Sequence, residues 1–129
     1  MGFDLKNKIS AKYLAKKLKA AVHYTGKLGF TEATSKALAL DDNSRMLFVE
    51  DTDDKEVLYL VHKRDKDEDA FPVRKAGRYF YINTKPLFDK LGVNYEKKTI
   101  IFDMIPIENE ELEVYKLKKR EMPRKQKPE

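Results

Sequence analysis

The chain has 129 residues, 41% hydrophobic and 38% charged, with seven Phe, seven Tyr and no Trp, a mixture that suits one small folded domain. The absence of cysteine excludes a disulfide framework and any thiolate metal site. The formal net charge of +5 is uneven: residues 1–27 carry a net +6, residues 28–115 a net −6 and residues 116–129 a net +5, so nucleic-acid contacts are expected at the basic ends.

The opening MGFDLKNK has no apolar stretch of the signal-peptide kind, and no run approaches the ~18 apolar residues of a membrane span. Lys6 stands where a myristoylation motif has Ser or Thr. A cytoplasmic protein without membrane contact is expected. Residues 9–22, ISAKYLAKKLKAAV, then predict an amphipathic helix capped by Ser10. Leu14, Leu18, Ala21 and Val22 share one helical face, and Lys12, Lys16 and Lys19 form a basic stripe on another.

From Gly26 onward one pattern occurs twice. Gly26-Lys27 opens a short strand through Leu28 and Phe30, and Thr31 can cap a two-turn helix, EATSKALA. The turn Asp41–Ser44 leads to the strand Met46–Glu50, and a second turn, DTDDK, to a partner strand from Glu56 to His62. After the charged loop HKRDKDEDAFP, Gly77-Arg78 opens the strand Tyr79–Ile82, and Thr84 can cap a helix with Pro86 in its first turn. Leu91-Gly92-Val93 ends that helix, and the strands Ile100–Asp103 and Leu112–Leu117 follow. Counted from Leu38 and Leu91, the two caps and the two acidic strand ends, Glu50 and Asp103, fall at equal distances, which argues for internal duplication. The expected organisation is one domain over 1–117, with a helix at 9–22, one unit at 26–62 and a second at 77–117. Residues 118–129, with two prolines and no periodicity, read as a disordered basic tail.

Residues 26–49, GKLGFTEATSKALALDDNSRMLFV, and 77–102, GRYFYINTKPLFDKLGVNYEKKTIIF, resemble the AbrB/MazE/MraZ swapped-hairpin family. The family's pattern is a Gly-Arg pair, an apolar strand, a short helix ending Leu-Gly-apolar, an acidic turn and an apolar strand. The resemblance implies an α+β, β-rich fold in which two β-α-β-β units close a small barrel by interleaving hairpins, and it implies DNA-binding transcriptional regulation. Thr31 and Thr84 replace the family's proline, and Ser35-Lys36 and Phe88-Asp89 stand where its helix often carries an Arg pair. The nucleic-acid-binding residues it points to are Lys27 and Arg78, with Arg74 and Lys75 on the same hairpin, Lys36 on the first short helix, and Lys12, Lys16 and Lys19 as further phosphate contacts.

Catalytic chemistry is not signalled. His23 and His62 are far apart, no spacing makes a zinc site or a Ser-His-Asp grouping, and the five glycines form no phosphate loop. Asp65–Asp69 begins like a calcium loop, but Ala70 and Ala76 occupy its glycine and twelfth-ligand positions. These readings predict a protein that is not an enzyme and needs no cofactor or metal. Its expected partner is double-stranded DNA, with a homo-oligomer possible. The rival reading is a protein-interaction or assembly module, favoured by the acidic middle of the chain.

Overall fold

The computed structural model describes residues 18–123. Nine strands and two helices follow in the order β1 (Lys19–Val22), β2 (Leu28–Phe30), α1 (Glu32–Leu38), β3 (Arg45–Glu50), β4 (Leu58–Lys63), β5 (Phe71–Pro72), β6 (Arg74–Ala76), β7 (Tyr79–Ile82), α2 (Lys85–Leu91), β8 (Lys98–Ile107) and β9 (Glu113–Pro123). All neighbours are antiparallel in the strand order β5-β3-β4-β9-β8-β1-β2-β7-β6. The two ends of that order, β5 and β6, are separated in the chain by one buried residue, Val73. The sheet is therefore a nearly closed barrel, which leaves little free edge for another chain to pair with.

Period-two alternation sets what lies inside. Leu28 and Phe30 face in from β2, Ile82 from β7, Ile100, Phe102 and Met104 from β8, and Leu60 from β4, all buried. Phe88 of α2 is fully buried and stacks on Phe102, with ring centroids 5.8 Å apart. Both helices end alike. Ala39 and Gly92 take left-handed backbone conformations, and the next residues, Leu40 and Val93, donate their N–H groups to the carbonyls of Ser35 and Phe88.

Their starts differ. Thr31 caps α1 as expected, its hydroxyl oxygen accepting the Thr34 N–H at 3.2 Å. Thr84 makes no such cap; its hydroxyl donates instead to the Gly26 carbonyl at 2.9 Å. That bond ties the start of α2 to the β1–β2 turn.

Two expectations are corrected. Lys19–Val22, assigned to the end of a helix over 9–22, is strand β1, hydrogen-bonded to β8 on one side and β2 on the other. Leu18, Ala20 and Val22 are buried and Ala21 is exposed, an alternation that helical spacing had hidden, and pairing on both edges overrides helix propensity. The rest of that helix, residues 9–17, lies outside the described residues. The tail expected from residue 118 is strand as far as Pro123, because β8 begins at Lys98 and its first six residues pair with 118–123. Residues 124–129 lie outside the described residues. Among the described residues, no helix is long and apolar enough to cross a membrane.

Candidate nucleic-acid interface

The outer face of β1, β2, β7 and β6 is built from the positions that alternate with the core. Reading across the ladders, Arg74 stands opposite Tyr81, Tyr81 opposite Gly29, Gly29 opposite Ala21, and Ala21 opposite Ile101 of β8. Gly29 and Ala21 project little or nothing, so the larger groups around them enclose a shallow groove of about 780 Å³. Its walls include His23, Lys27, Tyr79, Phe80, Tyr81 and Thr99, and no acidic side chain lines it. Tyr79 is 72% exposed.

Lys27 lines this groove, its ammonium over the Tyr81 ring, 4.9 Å from the centroid. Lys75 stands opposite Phe80 on the other face of the hairpin, its ammonium 5.7 Å from that ring's centroid. Arg78 is exposed in the two-residue turn between β6 and β7, where Gly77 supplies the positive φ, 63°. Lys19 shares the outer face with Ala21 and stands opposite Asp103, whose carboxylate is paired with Arg120 at 2.8 Å.

The sequence-predicted residues thus divide. Arg78 is at the tip of the β6–β7 hairpin, Lys75, on the same hairpin, faces the other way beside Phe80, and Lys27 and Arg74 share the face that carries Tyr81. Lys19 joins the same face, but from a strand and not from a helical stripe. Lys36 is elsewhere, on α1, with its ammonium 3.2 Å from Glu32. Lys12 and Lys16 lie outside the described residues. The aromatic members, Tyr79 and Tyr81, were missed because YFYI is apolar at every position; alternation within a strand of known facing is the signal that sorts them.

One polar cluster was also not foreseen. Ser44 Oγ lies 2.9 Å from His62 Nε2, and His62 Nδ1 pairs with Glu113 Oε2. Ser44 is fully buried, its oxygen already accepting the Asp41 N–H at 3.1 Å and lying 3.4 Å from Arg64 Nη1. No substrate can reach that hydroxyl as it stands. The trio ties the turn before β3 to β4 and β9, and Arg64 extends it by donating to the carbonyls of Leu38 and Ala39 at the end of α1. Among the described residues, no group of three or more His, Asp or Glu is placed to hold a metal ion.

Comparison with protein-family models, with curated proteins and with solved structures finds no match.

Proposed function

We propose that the chain is a DNA-binding transcriptional regulator of AbrB/MraZ-like type, built on two duplicated units that close a swapped-hairpin barrel. The observation that carries the binding reading is a groove without an acidic wall that Lys27 lines, with Arg74 on the same face opposite Tyr81 and Arg78 exposed at the tip of the adjoining hairpin. A two-stranded ribbon fits the major groove of duplex DNA, and β6–β7, with Arg78 at its tip, has that form. Cations along it would meet phosphates, which position a protein without reading sequence.

The shared strand-helix-strand-strand order and the matched helix ends support the duplication. Interleaving is consistent with β4 pairing with β9 while β2 pairs with β7, so that each unit's strands add to the other's.

Titration of labelled random-sequence duplex at two salt concentrations tests this reading. The log–log slope is expected to be about −0.9 per phosphate neutralised. Lys27→Ala with Arg78→Ala is expected to weaken binding to all sequences and to flatten the slope by about one unit for each phosphate no longer neutralised. No binding even at low salt would refute it. The assembly-module reading draws on a different face: Val49, Tyr59, Lys116 and Ile105 form one row across β3, β4, β9 and β8, with Val49 43% and Ile105 45% exposed. It predicts self-association or partner binding with no duplex affinity.

A further inference from the structure

Cations alone account for attraction to phosphate, but they do not account for the aromatic half of the groove. Tyr79 and Tyr81 are two residues apart on β7 and lie on its outer side, Tyr79 beside Ala76 and Tyr81 beside Gly29 and Arg74. Along a strand that separation is about 6.8 Å, twice the ~3.4 Å spacing of stacked bases, which is the interval a base needs between two rings. The Tyr79 ring, 72% exposed, is open to a stacking partner on the same face as Tyr81.

We propose that this groove takes a nucleic-acid strand with unpaired bases, which stack on Tyr79 and Tyr81 while Lys27 and Arg74 meet its phosphates. The proposal rests on the nucleic-acid reading above and names the state of the strand. A paired duplex hides base faces within its stack, so the rings have no role in holding it, whereas every unpaired base offers a π-face. The floor is small where a base must enter. At Gly29 an added Cβ would meet only the Ala21 carbonyl oxygen at 3.9 Å, so the backbone there does not demand glycine and the empty space belongs to the groove. The Lys27 ammonium, held over the Tyr81 ring, sets a cation beside the proposed stacking platform.

The test uses the whole chain. With no Trp, its ultraviolet emission comes from tyrosine and reports stacking directly. Three probes are titrated at fixed salt: an oligothymidylate of about 12 nucleotides, a blunt duplex, and the same duplex carrying a short unpaired gap, with an oligouridylate arm to separate DNA from RNA. Oligothymidylate and the gapped duplex are expected to bind more tightly than the blunt duplex and to quench tyrosine emission. Tyr79→Ala and Tyr81→Ala are each expected to weaken single-strand binding by about 5- to 150-fold and to leave blunt-duplex affinity within about twofold. Gly29→Leu, which fills the floor, is expected to do the same, and Lys55→Ala, in the exposed β3–β4 turn, to do neither. Thermal melts of each variant check folding, and Tyr79→Ala is safe in that respect because the ring is mostly in solvent. Blunt-duplex binding as tight as single-strand binding, with both Tyr variants unaffected, would overturn this inference and leave the duplex reading standing. No binding of any probe at low salt would remove both. Binding of peptides but not oligonucleotides in the groove would also overturn it.

Discussion

Ala39 holds φ at 52°, a left-handed conformation that costs an L-residue about 1–2 kcal/mol, while Gly92 at the equivalent end of α2 holds 71° without that cost. Ala39→Gly should therefore stabilise the protein, by up to about 1 kcal/mol once the extra entropy of an unfolded glycine is deducted, measured as a rise in urea midpoint. Gly26 predicts the opposite. Its φ is 92°, and an added Cβ would stand 2.8 Å from Lys85 Cβ, so Gly26→Ala should cost more than ~1 kcal/mol in the same assay. Charge acts at this scale too. Asp51 accepts N–H groups from Asp53 and Asp54 and the Tyr59 hydroxyl, and these bonds, the Asp53 N–H foremost, hold its carboxyl below the ordinary 3.8. The Lys63 ammonium does the same for Asp67, and that of Lys85 for Asp89. A carboxyl whose folded pKa is depressed stabilises the fold fully above its unfolded value, and this contribution is lost as pH falls through the folded one. Melting temperature should thus be flat near neutrality and fall below about pH 4, and Asp51→Asn should reduce that fall.

At the scale of elements, the eleven residues of β9 decide the C-terminal boundary. Removing 118–129 would strip the partners from Lys98–Asp103, including the Arg120–Asp103 ion pair, so a large drop in melting temperature or failure to fold is expected. A chain ending at Pro123 keeps every described ladder and should melt as the parent does; equal melts for both truncations would refute the role given to β9. The same strand explains a misreading. Beyond Leu117 the inward positions of β9 are Lys119 and Glu121, which pair with each other at 3.2 Å, so hydrophobic alternation stops although the backbone ladder continues. β1 was misread for the converse reason: KAAV fits either period, and only β2 and β8 beside it choose between them. The short helices were legible from the Thr31 cap, from Pro86 in the first turn of the second, and from their Leu-Ala or Leu-Gly ends, because those signals are local. The groove was half legible. Its cations announce themselves by charge, but its rings sit in an unbroken apolar run whose facing depends on partners distant in sequence.

At the scale of the molecule, charge along the chain does not map onto charge over the surface. Lys19 and Lys27 come from the basic first segment and Arg74 from the acidic middle, yet the sheet sets them on one face. The middle's net −6 is spread elsewhere, much of it in loops such as Asp51–Asp54 and Asp65–Asp69. The proposed contact surface therefore draws cations from both the basic first segment and the acidic middle.

The strand order has a consequence for synthesis. β1 and β2 form early in the chain, but β1's second neighbour is β8, and β4's is β9, the last described strand. At roughly 5–20 residues per second, the ~100 residues from β1 to the end of β9 take roughly 5–20 s to emerge from the ribosome. Through that interval the nascent strands present open edges that only the late hairpin can cover. Codon choice ahead of β8 should then set how long the growing chain depends on a chaperone, and slow codons there should raise the aggregated fraction without altering one residue of the product.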